Sequence, residues 1–419
     1  MSLWFSQHLV PPQPVGETAE RDLPLEGLRG VSALMVMYTH IFAPFHWLDP
    51  DYAPSKRFWW FAAGPVAVLF FFVLSGYVIG MTVKTPATGP AIRGYLCRRL
   101  VRLVPINTAA VLLVWLLFPV IALRTIFGNL CFLQNSLPYF WGWTMPVIGN
   151  STNLWSLNYE VVYYLVFLLI WRAAPRAGVL WGVTLGLGCV RLFIDSFPAF
   201  ISSYACGALF WLAGLTVAWL VPRDRVYGNW PSALLLLLIV WPLELVNKLL
   251  PALLPAGVLS RMPGAPLNRL EILPLCVWLL LTVTGRGARW HGRLTLFCLG
   301  WASLALVRGA VMGDYDQDKG AVLVYAAVIA LAWLLSCWTP KPIPLAKMAP
   351  VGLISFGLYV ISLPLEFSLA RQAYLPSGTV GSFILRVALL VGLSIGLAWL
   401  LERKLQPAIR LYVGRKWRL

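Results

Sequence analysis

The sequence is poor in charged residues. Only 12% of its 419 residues are Asp, Glu, Lys or Arg, whereas soluble domains carry about 25%. Hydrophobic residues make up 59% of the chain, and the mean hydropathy is +0.76. This combination excludes an ordinary soluble domain and predicts a protein that crosses a membrane several times.

The chain has fewer acidic than basic residues. The 33 Lys and Arg outnumber the 16 Asp and Glu, which gives a net charge of +17. No hydrophilic segment gathers these cations into a domain that would bind DNA or RNA, so we expect no nucleic-acid partner. In a membrane protein, such an excess is typical of cytoplasmic loops that face anionic headgroups, so membrane lipids are the expected surroundings.

The seven cysteines contain no CxxC pair and lie mostly inside apolar runs. Disulfide frameworks and metal sites depend on cysteines at short, regular spacing, often with histidines. The pattern therefore predicts buried thiols that pack as small hydrophobic groups, and no metal cofactor.

Apolar runs of spanning length recur along the whole chain. A helix needs about 20 residues to cross the hydrocarbon. Such runs start near residues 28, 58, 103, 154, 177, 199, 231, 270, 294, 321, 351 and 382. The run at 294–312 is the least clear, since Arg293 and Arg308 leave only a short apolar centre between them. We predict an all-α, polytopic transmembrane helix bundle of about 10–12 spanning helices in the cell (inner or plasma) membrane.

The domain organisation is simple. The first residues contain no basic side chain before Arg21, so they do not resemble a signal peptide. Basic residues fall in alternate loops, which places both termini in the cytoplasm. We expect a cytoplasmic tail at 1–24, one transmembrane domain at 25–410 and a basic cytoplasmic tail at 411–419.

The first apolar run carries two ionisable side chains that a plain membrane helix does not need. In LEGLRGVSALMVMYTHIFAPF (25–45), Arg29 and His40 are eleven residues apart, which is about three helical turns and places them on one face. They are then roughly 16 Å apart along the axis, with His40 inside the bilayer if Arg29 lies at the cytoplasmic interface. A neutral imidazole there can accept a proton from a substrate hydroxyl. The alternative is a packing histidine that is hydrogen-bonded to a neighbouring helix.

A basic motif opens the third run. CRRLVRLVP (97–105) contains Arg98, Arg99 and Arg102, of which the last two share a helix face. Guanidinium groups bind phosphate oxygens bidentately, and we expect the N-terminus of a helix here to add its dipole. The alternative is an ordinary positive anchor at the cytoplasmic face.

A carboxylate lies in the fourth run. NLWSLNYEVVYYLVF (153–167) places Glu160 among tyrosines, inside the membrane. Such a carboxylate needs a partner, and His40 or Arg29 would qualify. A protonated Glu160 bonded to a tyrosine and a purely structural salt bridge are the alternatives.

The second run contains a pair of small residues. In VLFFFVLSGYVIG (68–80), Ser75 and Gly76 interrupt an aromatic stretch. Small residues let membrane helices approach closely, which favours a packing role. A backbone exposed beside a ligand is the alternative.

Together these segments resemble the acyltransferase 3 family of integral-membrane acyltransferases. LEGLRGVSALMVMYTH resembles the family's opening helix, FFFVLSGYVIG its FFxxSG signature, RRLVRLVP its RxxR motif and LWSLNYEVVYY its WSLxxE helix. Further on, GLISFGLYVISLP (352–364) resembles the family's S-[YF]-x-L-Y segment, and WLLERKLQPAIR (399–410) its closing helix. The motifs follow in family order over nearly the whole chain.

The resemblance implies acyl transfer from acyl-CoA, often acetyl-CoA, to a hydroxyl of a carbohydrate or other acceptor, commonly a cell-envelope glycan. It implies that His40 is the catalytic base and that Arg29 and Glu160 are its partners in catalysis. By the same resemblance, the cofactor-binding residues are Arg98, Arg99, Arg102 and Ser75.

Two positions depart from the family pattern. Members often have a histidine after the LY pair, where this chain has Ser362, and a second acidic residue after the WSL glutamate, where it has Val161. These departures leave open whether the acceptor or the proton relay is the same as in commoner members.

Two other functions stay open. A transporter or flippase of a lipid-linked or glycan precursor fits the number of spans, although we find no pair of related halves. A catalytically inactive scaffold fits the two departures, but it gives no reason for keeping both Arg29 and His40.

Overall fold

The computed structural model describes residues 22–42, 48–118, 120–135, 145–247, 267–313, 319–337 and 344–417. Helices dominate this part of the chain, which confirms the predicted all-α architecture. The helices are α1 (Leu23–Ile41), α2 (Gly64–Thr82), α3 (Gly89–Leu117), α4 (Leu123–Leu130), α5 (Trp155–Ala173), α6 (Ala177–Cys189), α7 (Ala199–Leu220), α8 (Trp230–Asn247), α9 (Leu273–Thr284), α10 (Ala288–Val311), α11 (Lys319–Ser336), α12 (Ala349–Gly352), α13 (Ser355–Ala370), α14 (Val380–Trp399) and α15 (Gln406–Trp417). A π-helical segment, Leu400–Leu405, joins the last two. Two short strands, β1 (Gln134–Asn135) and β2 (Met145–Pro146), pair in parallel.

Seven helical segments of the described chain are long and apolar enough to cross a membrane. They are Lys56–Thr82, Gly89–Leu117, Thr152–Ala173, Ala199–Leu220, Ala288–Val311, Lys319–Ser336 and Val380–Arg415. A bent pair, Leu345–Gly352 and Ser355–Ala370, with axes 61° apart, makes an eighth span if counted as one. Three shorter apolar helices are Ala177–Leu192, Trp230–Val240 and Leu270–Thr284. The chain is thus a multi-pass membrane protein; the count of 10–12 spans and the orientation stay predictions.

The chain forms two compact units, which divide the predicted domain at 25–410. Unit 1 contains residues up to Glu26, 57–84 and 175–347; unit 2 contains 27–56, 85–174 and 348–419. Most of the predicted N-terminal tail, 1–21, lies outside the described residues. At the other end, α15 extends through most of the predicted C-terminal tail.

Unit 1 is centred on a tight crossing of α2 and α7. A Cβ at Gly76 would overlap the carbonyl oxygen of Trp211, and one at Gly214 would overlap that of Val73. The two backbones therefore touch, as small residues allow between membrane helices. For Gly76, the packing interpretation of the Ser75-Gly76 pair is confirmed.

The other helices of unit 1 pack around this crossing and beside it. α6 lies against α7, where the Trp181 indole N–H donates to Thr216 Oγ1 at 3.0 Å. α8 packs with α10 and α11, and Ser232 Oγ donates to the Ala332 carbonyl at 2.7 Å. The second of these bonds joins two helices at positions a hundred residues apart in sequence.

Unit 2 contains a buried ion pair at the far end of α13. Arg386 and Asp49 are 1% and 0% exposed, with 3.9 Å between Nε and Oδ2. The Arg386 guanidinium also donates to the Pro376 and Leu375 carbonyls, both at 3.0 Å, and to that of Leu369. A buried charge is tolerated when its hydrogen bonds are filled in this way, so we assign the pair to structure.

The α2–α7 crossing predicts a sharp difference between two glycine substitutions. Gly76→Ala forces a methyl group into the α7 backbone, and we expect it to destabilise the protein by about 1–3 kcal/mol or more. Gly182→Ala on α6 is the matched control, because a Cβ there has no heavy atom within 4 Å. Alanine in an open helical position stabilises by about 0.5–1 kcal/mol. Thermal unfolding of both variants in detergent measures the difference, and equal melting temperatures would contradict this packing.

Candidate functional site

α1 approaches α12 closely at Gly30, the glycine next to Arg29 of the first motif. A Cβ at Gly30 would lie 2.7 Å from the Gly352 amide nitrogen and 3.0 Å from the Met348 carbonyl oxygen. Only a glycine permits this approach, so Arg29 lies beside the crossing of α1 with α12. In this Arg-Gly pair, Arg29 supplies the cation, and Gly30 makes the helix contact that positions it.

His40 lies in the last turn of α1, partly exposed. Its neighbours Met37 and Ile41 belong to one hydrophobic cluster with Ile361 and Leu365 of α13. Since Gly30 meets Gly352 and the later residues of α1 meet those of α13, the two helices run in the same direction. His40 is therefore about 16 Å along α1 from Arg29, as the sequence predicted.

The arginines of the third motif lie well inside α3. Thr88 caps this helix, with its Oγ1 3.4 Å from the Ala91 amide, and the helix begins at Gly89. Arg98, Arg99 and Arg102 thus follow two to four turns later, and the predicted contribution of the helix N-terminus is wrong, because the dipole acts only over the first turn. Arg98 is exposed, whereas Arg99 and Arg102 are partly buried.

Two tyrosines hold Arg99. Its guanidinium carbon lies 5.5 Å from the ring centre of Tyr95 and 5.3 Å from that of Tyr164. Cation–π contacts of this kind stabilise an arginine that has left bulk water. The Tyr95 hydroxyl lies 3.4 Å from the Tyr164 carbonyl oxygen, which ties α3 to α5 at this point.

Glu160 joins the same group of side chains. The Tyr164 hydroxyl donates to Glu160 Oε1, one turn away on α5, and the same hydroxyl interacts electrostatically with Arg99 and Arg102. Of the partners considered for Glu160, a tyrosine is the one that the structure provides. We call Tyr95, Arg99, Arg102, Glu160 and Tyr164 the arginine–tyrosine cluster.

A second polar network links the WSL motif to the S-F-G-L-Y segment. The Tyr359 hydroxyl lies 2.5 Å from the Asn153 carbonyl oxygen and 2.8 Å from Ser156 Oγ. The Asn153 amide donates in turn to the Tyr359 carbonyl. Two motifs that are some two hundred residues apart are thus joined, and Glu160 is near enough to act electrostatically on Tyr359.

The closing helix stabilises the start of α13. Glu402 lies in the π-helical segment, and its Oε1 accepts the Gly357 amide at 2.5 Å. A Cβ at Gly357 would lie 2.9 Å from both the Cα and the Cβ of Ala398, so a glycine is needed for the helices to come this close. The carboxylate meets an amide of the first turn, where a helix attracts negative charge.

The same closing helix supports the arginine-bearing helix. Pro105 lies inside α3 and has no N–H, so it leaves the Val101 carbonyl without its usual donor. Gln406 Nε2 lies 3.5 Å from the Val101 carbonyl oxygen and 2.9 Å from that of Arg102. The carbonyl groups beside the RxxR motif therefore receive a donor from a side chain three hundred positions later.

These contacts fix the positions of the site residues of unit 2 relative to one another along the helix axes. Gly30 meets Gly352, Glu402 meets Gly357 and Gln406 meets Arg102. Since α14 runs opposite to α13, Gln406 lies about 6 Å from the level of Glu402, back toward the level of Gly352. Arg102 and Arg29 thus lie near one level, and His40 lies about 16 Å from that level along α1.

Comparison with known proteins decides the family. The family model described as an acyltransferase domain, that of the acyltransferase 3 family, matches residues 23–403. The chain belongs to this family. The resemblance drawn from the motifs is confirmed. No solved structure matches the chain.

A curated relative is also similar to part of the chain. The acyltransferase MdmB of Streptomyces mycarofaciens is 26% identical over 190 residues. The match covers 42% of this chain and 47% of the relative, so the chain matches about half the length of this acyltransferase.

One predicted site residue of this acyltransferase 3 chain belongs to unit 1, whereas the others belong to unit 2. Ser75 lies on α2 in unit 1, whereas Arg29, His40, the three arginines of α3 and Glu160 lie in unit 2. The Ser75 hydroxyl oxygen is buried and has no hydrogen-bond partner among the described residues. Its role in binding a cofactor stays a prediction. The described residues contain no group of three or more His, Cys, Asp or Glu side chains arranged to hold a metal ion.

Sequence reasoning missed one carboxylate of this family member. Glu366 on α13 is 0% exposed, and neither of its carboxylate oxygens has a hydrogen-bond partner among the described residues. Ser362, one turn earlier, is 2% exposed and its hydroxyl oxygen also lacks a partner there. Glu366 is the single acidic residue in the apolar run 351–370, a signal that was available from the sequence alone.

The arginine–tyrosine cluster predicts coupling between Tyr164 and Glu160. Tyr164→Phe removes the donor to a partly buried carboxylate, and we expect a loss of about 1–3 kcal/mol in the free energy of unfolding. In a Glu160→Gln background the same change should cost less, because an amide is less dependent on that donor. Thermal unfolding of the two single variants and the double variant gives the coupling energy. Additive losses would exclude the bond, and Tyr374→Phe, at an exposed tyrosine, is the control.

Proposed function

We propose that this chain is an acyl-CoA-dependent O-acyltransferase that moves an acyl group, acetyl above all, to a hydroxyl of a carbohydrate or cell-envelope glycan. The match to the acyltransferase 3 family model over residues 23–403 carries this proposal. Membership in this family favours an enzyme over the transporter or flippase that the sequence left open. The site geometry of unit 2 supports it in three steps.

The first step is binding of the donor. Arg99 and Arg102 share one face of α3 at the level of Arg29, and guanidinium groups suit the phosphates of CoA. The contacts with Tyr95 and Tyr164 fix the direction of the Arg99 side chain before any ligand arrives. Such preorganisation lowers the entropy cost of binding. Arg98, which is exposed, would meet the phosphates from outside the cluster.

The second step is delivery of the thioester. His40 lies about 16 Å deeper than the arginines, and an extended pantetheine arm is long enough to span that depth. Phosphates at Arg99 and Arg102 would then place the acyl carbon beside the imidazole. The acceptor would arrive from the opposite side; the sequence predicts this entrance at 134–153, of which 136–144 lie outside the described residues.

The third step is transfer. The acceptor hydroxyl oxygen attacks the thioester carbon while His40 takes the hydroxyl proton. The carbon–sulfur bond then breaks, and the proton passes from the imidazolium to the CoA thiolate. The products are the O-acyl ester and CoA–SH, so atoms and charge balance. A cation such as Arg29 or a hydrogen-bond donor would stabilise the negative charge that develops on the carbonyl oxygen.

The two carboxylates of the site divide their roles under this proposal. Glu160 contacts Tyr164 within the arginine–tyrosine cluster, so we assign it to positioning the arginines rather than the imidazole. Glu366 lies on α13, which runs parallel to α1, one turn beyond Ser362. We assign Glu366 to the acceptor side, where its oxygens and the Ser362 hydroxyl would bind the incoming hydroxyl groups.

The general-base role of His40 is tested by transfer of labelled acetyl from acetyl-CoA to candidate glycan acceptors in membranes that contain the protein. We expect His40→Ala to lower the transfer rate by about 10²–10⁴-fold, the contribution of a positioned base. Thr39→Val is the neighbouring control, because the Thr39 hydroxyl donates to the Met35 carbonyl of its own helix at 2.9 Å. Transfer that survives His40→Ala would remove the base, and acceptor movement without label transfer would favour the transporter.

The role of Glu366 is tested by an isosteric change. Glu366→Gln keeps the shape of the side chain but removes its capacity for charge, so the protein should fold as well as the wild type. We expect the KM for the acceptor to rise by about 10–100-fold, the worth of hydrogen bonds to a charged group. The KM for acetyl-CoA should stay unchanged, and Glu271→Gln in unit 1 should change neither. An unaltered acceptor KM would show that Glu366 does not bind the acceptor.

A further inference from the structure

The ends of four helices of unit 1 meet in a strongly basic surface. α2 ends at Thr82, α7 at Leu220 and α9 at Thr284, and α10 begins at Ala288. The connections after α7 and α9 form a short antiparallel bridge between Arg223 and Arg286. This bridge joins two loops that carry cations, although like charges repel each other.

Backbone bonds hold the two basic loops together. The Arg225 amide donates to the Gly285 carbonyl at 2.8 Å, and the Gly287 amide donates to the Pro222 carbonyl at 3.2 Å. Gly285 and Gly287 have φ values of +63° and +66°, which glycine adopts without strain. The backbone bonds therefore fix where the main chain of Arg223, Arg225 and Arg286 lies.

One arginine of this surface is internal and structural. Arg286 is 8% exposed, and its Nε donates to the Tyr77 hydroxyl at 3.1 Å. Its other nitrogens contact the Val221 carbonyl at 2.5 Å and the Met81 sulfur at 3.2 Å. This residue ties the end of α2 to the two loops.

The remaining cations face outward. We call the exposed residues Lys84, Arg223, Arg225, Arg289 and Arg293 the basic rim. Among the described residues, no side chain of the basic rim forms an ion pair within 4 Å. Three carboxylates lie nearby: Asp224, which accepts the Ala288 amide at 2.8 Å, Asp22 and Glu26. Five exposed cations and the buried Arg286 thus exceed these carboxylates by three.

Burial is the main cause of the pKa shifts of two groups beside this surface, and the cations act on both of them. The pKa of the Lys84 ammonium is lowered, first by burial and then by repulsion from Arg286. The pKa of the Asp22 carboxyl is raised by burial, although Arg223 and Arg286 act in the opposite direction. An anion at the basic rim would relieve the repulsion among these cations.

An aromatic side chain places this surface at the membrane boundary. Trp290, 39% exposed, lies in the first turn of α10, which is one of the candidate spans. The guanidinium carbons of Arg289 and Arg293 lie 5.6 and 5.4 Å from its ring centre. Tryptophan at a span end favours the level of the lipid headgroups, so the two arginines lie at that level too.

An apolar strip continues from the basic rim down α10. Leu296, Phe297 and Leu304 are 62%, 53% and 57% exposed. Between them, a Cβ at Gly300 would have no heavy atom within 4 Å, so the strip contains a notch. With Arg293, these residues recur every three or four positions and share one side of the helix.

We propose that the basic rim and the apolar strip of α10 form a binding site for one anionic phospholipid. The lipid phosphate would lie between the arginines that flank Trp290, and an acyl chain would lie along the strip and over Gly300. The arginines would bind a phosphate group, which a lipid, inorganic phosphate and CoA all carry. The apolar strip favours the lipid, because inorganic phosphate and CoA have no lipid acyl chain to lie along it.

The test uses the full chain purified in detergent and needs no acyl acceptor. Thermal unfolding is followed with phosphatidylglycerol, phosphatidylcholine, inorganic phosphate or CoA added, and native mass spectrometry counts retained lipids. We expect phosphatidylglycerol alone to raise the melting temperature and to be retained. Each of Arg289→Gln and Arg293→Gln should lower its apparent affinity about fivefold, the worth of one basic residue at a membrane surface.

Two further variants make the test specific. Arg308→Gln, at the other end of α10, should keep the lipid effect, whereas Gly300→Leu fills the notch without a change in charge and should weaken it. The proposal is overturned if inorganic phosphate or CoA stabilises as much as phosphatidylglycerol, or if Arg308→Gln weakens lipid binding as much as Arg289→Gln does. It is equally overturned if the Arg289 and Arg293 variants bind phosphatidylglycerol like the wild type.

Discussion

A polar group inside a bilayer must find its hydrogen-bond partner within the protein, and this requirement organises unit 2. Pro105 removes a donor from α3, and Gln406 supplies one from the closing helix. The first turn of α13 has free amides, and Glu402 accepts one of them. Glu160 is met by the Tyr164 hydroxyl. Each of these bonds satisfies a local need, and together they fix the level at which the arginines of α3 lie relative to α1 and α13. The site is therefore a consequence of how the membrane helices complete one another's hydrogen bonds.

Glu366 and Ser362 break this rule within the described residues, and the contrast with Arg386 shows why that is informative. Arg386 is equally buried, yet its guanidinium is surrounded by three carbonyl groups and the Asp49 carboxylate. A fold that satisfies one buried charge so fully has the means to satisfy another. Buried polar groups without partners are rare and call for an explanation. A carboxylate in a membrane span is by default a functional candidate, and an acceptor rich in hydroxyl groups would supply the missing donors.

Much of the fold followed from hydropathy, and its failures have definite physical causes. The apolar runs near 177, 199, 231 and 321 begin within two residues of α6, α7, α8 and α11, because a long apolar run in a membrane protein favours a helix. The run near 103 begins fourteen residues after α3 does at Gly89, because hydropathy detects only the part of a helix that crosses hydrocarbon. That error led to the wrong expectation of a helix dipole at the arginines. The bonds of Glu402 and Gln406 were unpredictable, since a pattern along the chain does not show which distant helices will touch.

The heights of the site residues connect this packing to chemistry. A membrane enzyme that takes a charged donor from one side must keep the donor's phosphates near water while its acyl group travels inward. Arg29 and Arg102 lie near one level because glycines and the closing helix bring α1, α13 and α3 together there. His40 lies about three helical turns away from that level on α1. Under the proposed function, the same helix would carry a cation at the level of the donor's phosphates and an imidazole at the level of its thioester. The spacing of Arg29 and His40 would then match the length of the donor, so lengthening α1 between them should impair transfer even if each residue keeps its own contacts.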